Sequence, residues 1–404
     1  MTRDRRRRYG PLVTSPHGSP VLDVDALIDD PATGIVVCCG SGGVGKTTTS
    51  AALALRAAER GRRAVVLTID PARRLAQSMG IEKLDNVPRP VPGLKDDAQL
   101  DAMMLDMKRT FDEVVESQAT AEKARLILEN PFYVALSSSF AGTQEYMAME
   151  KLGQLHAESL ESGRYDLIVV DTPPSRSALD FLDAPERLSS FLDGRLIRLL
   201  LAPTRGPAKL MSAGFTMMTR ALAKIVGGQM LGDVQTFVAA FDTLFGGFRQ
   251  RAQRTYALLQ AEGTAFLVVA APEPDALREA AYFVERLHEE RMPLAGLVLN
   301  RVSRAPAGDL SAEQAFAAAE RLEARDNGTD GTDGTAGLTA GLTAGLLRLH
   351  ADRMRLLARQ ARLRRRFTAA HPQVPTAVVP ALSTDVHDLD GLRLVGELLA
   401  DRPA

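Results

Sequence analysis

Cysteine occurs only twice in the 404 residues, at the adjacent positions Cys38 and Cys39. Two neighbouring thiols cannot build a disulfide framework or supply the four ligands of a structural zinc. Lysine is nearly as sparse: eight of the 49 basic residues are lysine and the rest are arginine. The six histidines show no pairing at metal-ligand spacing. A surplus of positive charge is missing too, since 49 basic residues face 50 acidic ones for a net charge of -1. That balance argues against a dedicated nucleic-acid binder, whose phosphate contacts need a basic surplus. No run reaches the roughly 18 apolar residues of a spanning helix. The basic run Arg5–Arg8 leads into a Gly- and Pro-containing segment, not an apolar signal core. These absences predict a reduced, cytoplasmic protein without a transmembrane segment.

What is present is an apolar share of 45%, ample for a buried core. Order is expected from about Gly34, leaving 1–33 as a flexible tail and 34–404 as a single domain. Ile35–Cys39 is a short β-branched run that reads as a buried strand. Thr49–Arg60 is Ala/Leu-rich at helical spacing and stops at Gly61, and Ala64–Ile69 is a second buried run ending at Asp70. Strand, glycine loop, helix and strand in this order make a βαβ unit and hence a parallel sheet. Leu167–Val170, Ala265–Ala270, Leu297–Leu299 and Thr376–Val379 repeat the strand signal. The expected fold is α/β: a mostly parallel sheet wrapped by helices, with an inserted helical subdomain.

Helical insertions are expected at about 101–161 and 186–259. The second carries Met211, Met217, Met218 and Met230, which read either as core filling or as an adaptable groove for a hydrophobic client protein. The Gly/Thr-rich repeat at 328–346 reads as a flexible surface insertion. It is followed by a helix with a basic end (Arg362, Arg364, Arg365, Arg366), either a solvated face suited to the helix dipole or a contact for an acidic partner.

The chemistry concentrates at Gly40-Ser41-Gly42-Gly43-Val44-Gly45-Lys46-Thr47, which satisfies G-x-x-x-x-G-K-[ST] in full. The glycines let backbone N–H groups turn toward one anion, and the following helix aims its positive end at the same point. In such a loop Lys46 contacts the β- and γ-phosphates, Thr47 ligates Mg²⁺ and Thr48 assists at the α-phosphate. Asp171 closes the run Leu167–Val170, where a carboxylate holds Mg²⁺ directly or through water. Asp70, at the end of its strand, is placed to orient an attacking water.

With these motifs in view, Ser41–Thr47, Asp70-Pro71-Ala72 and Asp171-Thr172-Pro173-Pro174-Ser175 resemble the nucleotide motifs of the ArsA-type ATPases. That family includes the arsenite-pump ATPase and the ATPase that targets tail-anchored membrane proteins. The resemblance implies a P-loop ATPase using ATP and Mg²⁺, with Lys46 and Asp70 catalytic. It implies a nucleotide site formed by Ser41, Gly42, Gly43, Val44, Gly45, Lys46, Thr47 and Thr48. Asn300 would recognise adenine, Pro380 and Leu382 would frame the base, and Thr47 and Asp171 would serve the metal. It further implies a dimer whose closure acts on a client or partner.

This sequence departs from that family in three ways. Ser41 stands where the family usually has a second lysine that reaches across the dimer, so the reading predicts a heterodimer with a paralogous ATPase that keeps the lysine. The adjacent cysteines leave no intersubunit zinc or arsenite site to expect. Arg73, Arg74 and Arg176 occupy switch positions usually held by smaller or neutral residues, either as surface charge or as partial compensation for Ser41. Two further readings stand beside the ATPase: a nucleotide-binding, weakly hydrolysing subunit of such a heterodimer, and a positioning ATPase of the MinD/ParA kind.

Overall fold

The computed structural model describes residues 20–70, 74–95, 97–130, 133–134, 143–173, 250–305, 309–326 and 334–401. The methionines of the second expected insertion, Arg73 and Arg176 lie outside them.

In chain order the elements are α1 (Val24–Asp29), β1 (Ile35–Cys39), α2 (Lys46–Glu59), β2 (Arg63–Thr68), α3 (Arg74–Ser78), β3 (Arg89–Pro90), β4 (Gln99–Met104), α4 (Met107–Gln118), α5 (Ala121–Leu128) and α6 (Thr143–Ser162). They continue with β5 (Leu167–Asp171), α7 (residues 250–260), β6 (Thr264–Ala270), α8 (Pro274–Glu289), β7 (Leu294–Val302), α9 (Ala312–Asp326), α10 (Gly334–Ala370), β8 (Thr376–Pro380) and α11 (Leu389–Ala400). The strands form one sheet in the order β3-β4-β2-β5-β1-β6-β7-β8. Every pairing is parallel except the two-residue β3–β4 contact.

Burial follows from strand geometry. Side chains alternate across a strand, so Ile35, Val37 and Cys39 face one layer while Val36 and Cys38 face the other. The first layer is built by α4, α6 and α8 through Phe111, Val114, Met147, Leu152, Phe283 and Leu287. The second is built by α2 and α11, through Ala51–Leu55 and Leu392, Val395 and Leu399. Helices on both faces explain why the strands are continuously apolar rather than alternating.

Three segments differ from the sequence expectation. Chain order begins before Gly34: Asp23 caps α1 by accepting from the Ala26 N–H at 3.1 Å, and Leu22, Val24, Leu27 and Ile28 are buried. Arg62 ties this segment to the sheet, donating to the carbonyls of Ile28, Asp30 and Thr33 and to the Asp166 carboxylate at 2.8 Å. Second, residues 101–104 belong to β4, not to a helix. Asp101, polar in mid-strand, is accommodated because the Tyr165 hydroxyl and Arg164 donate to it. Third, residues 334–346 of the Gly/Thr-rich repeat are helical, as the first turns of α10. Each helical glycine costs about 1 kcal/mol relative to alanine. Burial of the row Ala344 and Ala351, with Ala340 partly buried above it, offsets that cost as α10 packs along α9.

Candidate nucleotide site

The loop leaving β1 has a backbone that only glycine adopts freely. Gly40, Gly43 and Gly45 have φ of 147°, 75° and 95°. A Cβ on Gly40 would stand 2.1 Å from the Val269 carbonyl oxygen of neighbouring β6, so the loop runs hard against the sheet. Gly45 then starts α2, with the Thr49 N–H donating to its carbonyl at 2.9 Å.

Lys46, the first residue of α2, is only 5% exposed and its Nζ donates to the Ser41 carbonyl at 2.8 Å. Burial holds its pKa below the usual lysine range, opposed by the negative charge of Asp171. One turn of backbone geometry thus returns the ammonium over the loop that precedes it. Ser41 Oγ is buried and has no hydrogen-bond partner among the described residues.

Register brings the second half of the site together. Asp171, the last residue of β5, lies beside Cys38 of β1 and Thr68 of β2. Its Oδ2 accepts from Thr47 Oγ1 at 2.7 Å and from Thr68 Oγ1 at 2.9 Å. Its Oδ1 is buried without a hydrogen-bond partner among the described residues. Burial pushes this carboxyl up to about 6, while the two hydroxyl donors and Lys46 pull the other way. The next residue, Thr172, donates its hydroxyl to the Cys38 carbonyl at 2.9 Å. Asp70 follows β2 and is half-buried, and its N–H donates to Thr68 Oγ1 at 3.2 Å. Thr68 is the residue that sequence reasoning missed. Its signal is positional: a threonine ending the parallel strand next to Asp171, two residues before Asp70.

Asn300, near the end of β7, spends both ends of its amide locally. Its Nδ2 donates to the Val44 carbonyl at 2.9 Å, and its Oδ1 accepts from the Arg301 N–H at 2.9 Å. Arg301 takes a φ of 60°, uncommon for a side chain of its size, as the chain turns there. Pro380 ends β8 and Leu382 follows it on the same C-terminal edge of the sheet, separated from β1 by β6 and β7. Cys38 and Cys39 are fully buried, and burial pushes the Cys38 thiol up to about 12 and Cys39 higher still. They are packing residues of β1. Among the described residues no cluster of three or more His, Cys, Asp or Glu side chains could hold a metal by itself.

A glycine loop joining a buried strand to a helix, with lysine and threonine opening that helix and an aspartate closing the next strand, defines a P-loop α/β protein. The chain belongs to the anion-transporting ATPase family, whose profile matches residues 33–323. It is similar to an ATPase ASNA1 homolog of Entamoeba dispar, 29% identical over 184 residues that cover 45% of this chain and 54% of the relative. An ATPase GET3 of Malassezia globosa is 30% identical over 166 residues, covering 41% and 46% of the two chains. The match to ATPase ASNA1 homolog 1 of Paramecium tetraurelia is longer, 25% identical over 285 residues covering 65% and 73%. Against the first of these relatives the chain spans about half of their length.

Proposed function

We propose that this chain binds ATP with Mg²⁺ at Ser41–Thr48 and hydrolyses it to ADP and phosphate. The observation that carries the reading is the Thr47–Asp171 hydrogen bond beside the folded-back Lys46. The residues suit the group they would hold. A hydroxyl and a carboxylate are hard oxygen donors of the kind Mg²⁺ takes, and Asp171 Oδ1 is a buried acceptor with no protein donor among the described residues. Mg²⁺ would be held by Thr47 and, directly or through water, by Asp171, and it neutralises charge developing on the phosphates.

In this reading Lys46 exchanges the Ser41 carbonyl for phosphate oxygens, and the N–H groups of the loop and the α2 terminus take the remaining charge. Asp70 orients the water whose oxygen attacks the γ-phosphorus as the bond to the β-phosphate oxygen breaks. Asn300, Pro380 and Leu382 would meet the base. For Asn300 this requires a second bond from an amide already engaged to the loop. Ser41 supports a finer reading: an asymmetric heterodimer with a paralogous ATPase that supplies the missing cation, acting on a client in the cytoplasm.

The test is nucleotide binding and single-turnover hydrolysis by the purified chain, alone and mixed with a candidate paralogue. Lys46→Ala should lose Mg·ATP binding, whereas Asp70→Asn should keep it and lower turnover by about 100-fold or more. Unchanged turnover in Asp70→Asn removes Asp70 from the mechanism. Equal turnover with and without the paralogue removes the heterodimer.

A further inference from the structure

The helix α10 runs for 37 residues and packs one side along α9. Its buried alanines, Ala344 and Ala351, share that side with the partly buried Ala340. At about 100° per residue, Leu338, Leu342, Leu346, Leu349 and Leu356 fall in a sector about 80° wide on the opposite side. All five are exposed, by between 45% and 69%. They form a straight ridge about 27 Å long. From Gly334 to Leu347 the helix carries no charged residue. Gly341 and Gly345, beside the ridge, have open space where a side chain would be.

The charge of α10 says what this ridge meets. The helix holds eight arginines and a single acidic residue, Asp352, in a chain whose net charge is -1. Asp352 is paired with Arg355 at 3.0 Å, and Arg348 is turned away from the ridge to Glu323 of α9 at 2.9 Å. Exposed Arg359 and Arg366 fall along one side of the leucine line. Arg353 falls within the line, between Leu349 and Leu356, and its guanidinium donates to the Arg304 carbonyl at 3.3 and 3.4 Å. Apolar side chains along one line, bordered on one side by arginine and free of unpaired acid, are the pattern of a helix that lies in a membrane interface. The leucines enter the boundary of the acyl chains while the guanidinium groups remain at the headgroups. A second copy fits less well, because it would bring a second arginine-rich helix alongside the first.

We infer that the outer face of α10 is a docking surface for an anionic lipid bilayer, entered in the plane of the membrane. Such binding needs no spanning segment, and no helix among the described residues is long and apolar enough to cross a membrane.

The inference is tested on the full chain by co-sedimentation with vesicles of phosphatidylcholine alone and of phosphatidylcholine mixed with phosphatidylglycerol. The chain should sediment with the mixed vesicles, less so as salt rises. The paired change Leu342→Ser and Leu346→Ser should weaken binding about tenfold or more. The paired change Arg359→Gln and Arg366→Gln should remove most of the preference for the anionic vesicles, again about tenfold. Circular dichroism and thermal melting check that the variants fold, and the salt titration of the unaltered chain decides the matter if the leucine variant does not. No sedimentation with the mixed vesicles overturns the inference, as does equal binding by a folded leucine variant. Self-association of the unaltered chain that the leucine change abolishes, without vesicle binding, overturns it in favour of a contact between copies.

Discussion

At the scale of single residues, Asp171 pays for its position in the energy of the ligand-free chain. Its carboxyl is raised to about 6 by burial, from an ordinary value of 3.8. Between these two values the folded chain holds a proton that the unfolded chain has released. Stability contributed by this group is therefore present at low pH and is lost as pH rises toward 6. Above that, the folded chain carries a buried charge. Asp171→Asn keeps an acceptor for Thr47 and Thr68 and removes the charge. Denaturant melts at pH 7 should show the variant more stable by about 1–3 kcal/mol, with the difference shrinking toward pH 4. The same variant should lose Mg²⁺-dependent tightening of ATP binding, so the destabilising charge is tied to the chemistry proposed for it. Thr68 shares this carboxylate, and its place two residues before Asp70 is not enough on its own to mark it. It becomes visible only once β2 and β5 are placed in register.

At the scale of elements, the loop and its flanking strands were legible because glycine spacing and β-branched runs are strong signals. Ile35–Cys39, Arg63–Thr68 and Leu167–Asp171 stand where the apolar runs predict strands. β4 was not legible, since Gln-Leu-Asp-Ala-Met-Met has no β-branched residue and its aspartate is satisfied only by residues about 60 positions away. The first turns of α10 were hidden for the opposite reason. Glycine every fourth residue reads as a flexible linker, while the same period lines up alanines that pack on α9. The glycine loop itself allows a sharp prediction. Gly40→Ala would press a methyl group into the Val269 carbonyl at a backbone angle that alanine resists. It should cost about 2–4 kcal/mol in thermal or denaturant unfolding and abolish ATP binding measured by calorimetry. Gly43→Ala, with open space at its Cβ, should cost about 1–2 kcal/mol through strain alone.

At the scale of the whole molecule, the sheet has two edges with different duties. All the proposed chemistry stands at the C-terminal ends of the strands, where open α/β sheets bind ligands. That edge carries the consequence of Ser41. If the missing positive charge limits turnover in a complex of identical chains, Ser41→Lys should raise ATP turnover by tenfold or more and make it depend on protein concentration. Steady-state rates over a dilution series check both parts. A rate that is unchanged, or raised but independent of concentration, would show that the substitution does not act across a dimer.

The opposite edge is closed by Arg62, which holds the carbonyls of Ile28, Asp30 and Thr33 together with the carboxylate of Asp166. One guanidinium thus stitches the leading segment, the start of β2 and the approach to β5 into a single seam. A shortened protein starting at Gly34, where the first apolar strand signal of the sequence begins, would unpick that seam. It would strip three acceptors from a cation that is already mostly out of water and remove Leu22, Val24, Leu27 and Ile28 from the apolar cluster they share with α2. The residues ahead of the glycine loop therefore serve as the hem of the fold, and any minimal version of this protein has to begin upstream of Leu22.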